Sequence, residues 1–148
     1  MGLDMYLNKK RYMGWNYEHN RENKRVPDLS DFNVDTKKVT YIEEQALYWR
    51  KANAIHQWFV ENVQGGCDDC KSYFVGKDDL EKLLTLVTEV LDDHEKAETV
   101  LPTTSGFFFG NTEYDEWYFK DLEYTKEGIE TLLANWDIET EYYYQSSW

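Results

Sequence analysis

Cysteine and histidine are few in this chain, two and three residues respectively, so each pairing can be weighed singly. Cys67-Asp68-Asp69-Cys70 has the CxxC spacing that binds zinc or cycles through a disulfide. A structural zinc site takes four ligands. The sequence has no second CxxC and no HxxxH, and His19, His56 and His94 are scattered. The two carboxylates inside the motif also oppose the negative charge of a thiolate. The CxxC therefore reads as a loop without a metal or a redox role.

His56 sits in Tyr48-Trp49-Arg50-Lys51-Ala52-Asn53-Ala54-Ile55-His56, where a base could do proton transfer. No serine or cysteine nucleophile is placed beside it by any local signature, so it reads as a satisfied polar residue. Ser105-Gly106-Phe107-Phe108-Phe109-Gly110 has two glycines but not the GxxxxGK[ST] of a phosphate loop. Asp115, Glu116, Asp121 and Glu123 could pair as carboxylates for hydrolysis or for a divalent metal. Trp15, Trp49, Trp58, Trp117, Trp136, Trp148 and twelve tyrosines could stack on a nucleobase, with positive charge from the N-terminal third and Arg50-Lys51. Most of these rings are expected in the core and its rim. No catalytic residue, metal or cofactor is expected.

The elements that would position these residues follow from hydrophobic periodicity. Gly2 to Tyr12 alternates and predicts a first strand; Lys38 to Glu43 predicts a second, Lys71 to Val75 a short third, and Ile138 to Tyr144 a last. Residues 14–37, with the polar run His19 to Arg25, predict a long loop. Tyr48, Ala52, Ile55, Phe59 and Val63 predict a helix over 48–63 that stops at Gly65-Gly66. Leu80, Leu83, Leu84, Val87, Val90, Leu91 and Ala97 predict a helix from Asp78 to about Leu101, ended by Pro102. Tyr114, Trp117, Tyr118, Leu122, Thr125, Ile129, Leu132, Leu133 and Trp136 predict the inward face of a helix over 113–136. Phe107 to Phe109 fits a buried strand or an aromatic loop. The sum is a single α+β domain over 1–148: about three helices on a small, mostly antiparallel sheet of four to five short strands.

Charge supplies the functional expectation. With 29 Asp and Glu against 16 Lys and Arg the net charge is -13, yet residues 1–40 balance at +2 and residues 41–148 at -15. Direct nucleic-acid binding is disfavoured, because phosphate contacts need clustered cations. No apolar run is long enough for a signal-peptide core or a membrane span, and the expected place is the cytoplasm. Glu113, Glu116, Lys120, Glu123, Glu127 and Glu130 recur at helical steps, so Glu116 to Glu130 lay a carboxylate stripe about 21 Å long. Glu116, Glu123, Glu127 and Glu130 are the candidate partner-binding residues, for a protein with a basic surface.

The segments MGLDMYL at the start, YWRKANAIHQWFVENVQ over 48–64 and LPTTSGFFFGNTEYDEWYFKDLEYT over 101–125 carry a likeness. They resemble small proteins encoded by phages and prophages of Gram-positive bacteria. The resemblance brings no catalytic motif. It implies a phage accessory product in host bacterial cytoplasm, and by analogy an inhibitor of a host nuclease or defence complex such as a CRISPR effector. The expected function is noncatalytic binding and inhibition of such a host protein through an acidic surface. Two alternatives come from other classes: a sponge that sequesters a nucleotide signal in an aromatic pocket, and a metal-dependent hydrolase using Asp and Glu.

Overall fold

The computed structural model describes residues 2–23 and 26–148; Met1, and Lys24 and Arg25 of the polar run, lie outside the described residues. Alternating side chains in β1 (Asp4–Tyr12), β2 (Tyr41–Arg50), β3 (Tyr73–Val75) and β4 (Thr140–Ser147) build one antiparallel sheet in the order β2-β1-β4-β3. The chain's first and last strands thus pair at its centre, Leu7 against Tyr144. The helices are α1 (Glu18–Asn23), α2 (Asn53–Asn62), α3 (Lys77–Asp92), α4 (Ala97–Val100) and α5 (Glu116–Ala134). The fold is α+β. Among the described residues no helix is long and apolar enough to cross a membrane.

Period two decides which strand residues meet the helices. Met5 and Leu7, Leu47 and Trp49, Tyr142 and Tyr144, and Val75 are all buried in one core with Ile55 and Phe59 of α2, Leu80, Leu83, Val87 and Val90 of α3, and Leu122 and Ile129 of α5. The Phe59 and Tyr144 rings stack at 4.0 Å, and the Trp49 indole N–H donates to Thr125 Oγ1 at 2.8 Å. The alternate strand residues line the sheet's other face: Tyr6 against Tyr48, Tyr12 against Tyr41, Phe74 against Tyr143, with the Lys10 ammonium 4.6 Å from the Tyr41 ring. Of the 25 aromatic residues seven are buried, eight are half-buried and ten are exposed, so the core and its rim together hold most of the rings.

Several predicted boundaries move. Residues 48–50 belong to β2, not to a helix, because Trp49 pairs with Met5 and Tyr48 with Tyr6; the helix begins only at Asn53. The second strand starts at Tyr41 rather than Lys38, since 36–38 form a 3-10 turn capped by Asp35. The loop over 14–37 contains α1 and is tied down: Trp15 is buried, and its carbonyl accepts from Arg21 Nη1 at 2.6 Å. The helix expected over 78–101 breaks at Asp93, whose extended backbone and side chain cap the next turn. The helix expected over 113–136 spans only 116–134. Phe107 to Phe109 form a turn, with Phe109 N–H donating to Gly106 O at 3.1 Å. The last strand starts at Thr140, leaving Ile138 exposed outside it.

Gly128 explains how α5 reaches the sheet. A Cβ there would stand 2.4 Å from Leu47 Cδ2, and Leu47 is itself buried. Glycine costs the helix about 1 kcal/mol relative to alanine, and that cost permits close packing of α5 on β2. Gly128→Ala should therefore destabilise the protein by about 1 kcal/mol net, because overpacking costs roughly 1–3 kcal/mol against the propensity gained. Urea unfolding of Gly128→Ala, Leu47→Val and the double variant checks this. The double variant should be more stable than the two single changes predict by addition, because shortening the side chain at position 47 vacates the space that a methyl group at position 128 needs.

Candidate functional site

The acidic stripe forms on α5. Asp115 caps the helix by accepting from Tyr118 N–H at 3.1 Å. From that start, Tyr118, Leu122, Thr125 and Ile129 turn inward, and Glu116, Glu123, Glu127 and Glu130 are all exposed. The four do not stay equivalent. Glu116 pairs with Lys120, and Glu130 with Lys126 at 2.7 Å. Among the described residues Glu123 and Glu127 have no ion pair. The Lys126 ammonium is held above its ordinary pKa, first by the Glu130 carboxylate and also by Asp92 of α3. Residues 77–134, which hold α3, α4 and α5, contain fifteen Asp and Glu against five Lys, a balance of -10 out of the total -13. The charge is thus a property of the helical part of the molecule.

Trp117 is not inward as expected. Its side chain is exposed at the start of α5, with the Lys120 ammonium 4.7 Å from the ring. It stands at a cleft of about 260 Å³ lined also by Arg50, Lys51, Asn53, Asp115 and Asp121. Of the four carboxylates considered for hydrolysis, the cleft gathers Asp115 and Asp121, whereas Glu116 and Glu123 lie outside it. Burial pushes the Asp121 carboxyl up to about 6, and the Asp115 charge adds to that shift. A carboxyl titrating near neutrality can give or take a proton there. Among the described residues no three His, Cys, Asp or Glu side chains are grouped to hold a metal ion.

Asn53 positions the cleft's rim. Its Nδ2 donates to the carbonyls of Phe109 at 3.0 Å and Asn111 at 2.9 Å, and its Oδ1 accepts from Thr104 N–H at 2.9 Å. Lys51, just before it, holds a left-handed φ of 57° that turns the chain from β2 into α2. Its N–H donates to Leu3 O at 2.8 Å, and Leu3 N–H donates to Phe108 O at 3.0 Å. The three segments that carry the resemblance, far apart in sequence, therefore meet at one place.

His56 lies behind that place and is fully buried. Burial holds the Tyr144 phenol well above its ordinary pKa, and its hydroxyl is hydrogen-bonded to His56 Nδ1 at 2.6 Å. The Nε2–H then donates to Asp68 Oδ2 at 2.9 Å. Asp68 Oδ1 accepts from the Trp148 indole N–H at 3.1 Å. The CxxC loop thus contributes its first aspartate to an aspartate–histidine–tyrosine relay, while Cys67 and Cys70 remain free thiols. Sequence reasoning missed Asp68 and Trp148 as a pair, which 80 residues separate.

Comparisons with protein-family models, curated proteins and solved structures find no match. The site's chemistry therefore rests on its own geometry.

Two outcomes follow. The Asp121 carboxyl titrates at about 6 in the folded protein and at 3.8 ordinarily, so the folded state binds its proton more tightly. Stability present below the lower value is lost as pH rises through the higher one, by on the order of 1–2 kcal/mol for a partly solvated group. Asp121→Asn should remove that loss, making the variant the more stable protein at about pH 7.5 but not at about pH 4. Urea unfolding at both pH values checks it; parallel pH profiles for the two proteins would contradict it. Asn53→Ala should cost about 1–2 kcal/mol, because it leaves partly buried backbone groups without these partners. Amide hydrogen exchange at Thr104 should accelerate with it.

Proposed function

We propose that this protein is a phage-encoded, noncatalytic interaction protein of the host bacterial cytoplasm. It binds and inhibits a host nucleic-acid-handling or defence protein, such as a CRISPR effector, through its acidic helical layer. The observation that carries this reading is the concentration of -10 within residues 77–134, with Glu123 and Glu127 exposed and without ion pairs among the described residues. Such a layer offers carboxylates to the same Lys and Arg side chains that would otherwise meet phosphates, and it accelerates encounter with a basic partner. Unpaired carboxylates serve this best, since they surrender no internal bond on docking.

A second reading, hydrolysis by the Asp115–Asp121 pair, draws on one observation, the Asp121 carboxyl raised to about 6 in a cleft. It requires substrate turnover that Asp121→Asn abolishes. The nucleotide sponge has less support. The polar cleft opposes Arg50 and Lys51 with Glu113, Asp115 and Asp121, and the aromatic pocket at Phe107–Phe109 has Asp68 as its one charged side chain.

The test starts from affinity capture in infected host lysate, followed by titration of the captured protein with wild type and with Glu123→Lys/Glu127→Lys. These positions are exposed, so the fold should survive. The double variant should bind at least about tenfold more weakly at low salt and show a shallower salt dependence. Adding Glu116→Lys and Glu130→Lys should deepen the loss. Affinity unchanged across the series means the helical layer is not the docking surface.

A further inference from the structure

We infer that the aromatic pocket beside Asp68 is an anchoring site for a single arginine side chain of a basic protein partner. The pocket, about 390 Å³, is lined by Ser105, Gly106, Phe107, Phe108, Trp148 and Asp68, with Phe109 at its inner side. Phe107 is 94% exposed, the most exposed large apolar side chain in the described chain, and it meets the Phe108 ring edge-on at 4.8 Å. Trp148 stacks at 6.4 Å from Phe108, tilted by 26°. A turn that leaves a phenylalanine ring in water, next to two more rings, holds apolar surface that folding alone does not use.

The carboxylate selects the occupant. Asp68 is a member of the pocket lining, and among those residues it is the one with a charged side chain. One oxygen accepts from His56 Nε2–H in the core and the other from the indole N–H of Trp148, itself a wall of the pocket. The Tyr144 hydroxyl, 2.6 Å from His56 Nδ1, fixes the imidazole ring from its other side, so Asp68 is held in one orientation. Aromatic faces with one fixed carboxylate attract a cation and repel a phosphate. Among cations the guanidinium fits best. It is planar, is weakly hydrated, lies flat on an aromatic ring, and presents N–H groups along its edge to a carboxylate. An apolar ligand would leave Asp68 desolvated without compensation.

The partner in this inference rests on the acidic-surface reading of the preceding section, but the pocket chemistry does not. The experiment separates the two by using no partner. A 15N-labelled protein is titrated with the peptide acetyl-Gly-Arg-Gly-amide and with its citrulline analogue, which is neutral and nearly isosteric. The arginine peptide should shift the Trp148 indole N–H and the amides of 106–109 with saturation in the millimolar range, about what one exposed cation–π contact and one carboxylate supply. The citrulline peptide should leave these signals in place. Phe107→Ala, an exposed change that the fold tolerates, should weaken the arginine response severalfold. Equal shifts with citrulline, an arginine response unchanged in Phe107→Ala, or shifts confined to the α5 carboxylate face would each overturn the inference. The Glu123→Lys/Glu127→Lys variant should keep the Trp148 response whatever becomes of its partner binding.

Discussion

One buried amide ties the functional end of this molecule together. Asn53 is 5% exposed and makes three hydrogen bonds to a loop some fifty residues away. An asparagine side chain offers donors and an acceptor at fixed geometry, so it can bind a carbonyl and an N–H of an irregular segment at once. No apolar residue could do this, because the loop's backbone groups would then be buried without partners. The left-handed Lys51 and the bond from its N–H to Leu3 deliver Asn53 to that position. The same loop has one side on the Asp121 cleft, through Thr103, Gly110 and Asn111, and the other on the aromatic pocket, through residues 105–109. Two sites of different chemistry thus share one wall and one clamp.

The rest of the fold sorts charge and aromaticity onto different faces. An antiparallel sheet can bury one face and leave the other wet. Here the wet face holds Tyr6, Tyr12, Tyr41, Tyr48, Phe74 and Tyr143 in cross-strand pairs, which stabilise strand pairing without needing a second layer. The buried face carries α3 and α5, whose outer surfaces hold the acidic excess. The exposed pairs Glu116–Lys120 and Lys126–Glu130 contribute little to holding α5 in place. Leu122, Thr125 and Ile129 hold it, with Gly128 allowing the approach. Because packing fixes α5 by its inner stripe, its outer residues are free to serve a surface role.

What was legible in the sequence divides along the same line. Period two revealed β1 and β4, and helical spacing revealed the inner faces of α3 and α5, since each pattern reports contact with a single core. Residues 48–52 deceived because Tyr48, Ala52, Ile55 and Phe59 fit helical spacing, while the alternation of Leu47 and Trp49 with exposed neighbours belongs to β2. The break at Asp93 had a local sign, an aspartate able to cap the next turn, inside an otherwise continuous apolar pattern. For the site, the exposure of the four glutamates followed from their spacing, and Lys126 stands four residues before Glu130, the spacing at which helix side chains meet. The Tyr144–His56–Asp68 relay was invisible because its members lie 88 and 12 residues apart and no periodicity links them. Local pattern shows which way a residue faces, and only the fold shows what it faces.

The two kinds of negative charge on this protein differ in range and therefore in consequence. Carboxylates spread over α3 and α5 act through solvent, where salt screens them beyond roughly 8–10 Å. They govern the rate of encounter with a basic surface and its sensitivity to ionic strength. Asp68 is different: it is partly buried, its geometry is set by a buried imidazole, and rings flank it. A charge held this way acts at contact, where displaced water and a fixed orientation make the interaction short-ranged and slow to release. His56 is suited to this use because its ring is fully buried and reaches Asp68 Oδ2 from within the core. The relay thus keeps Asp68 in one orientation beside the rings, which is what holding a cation against them needs.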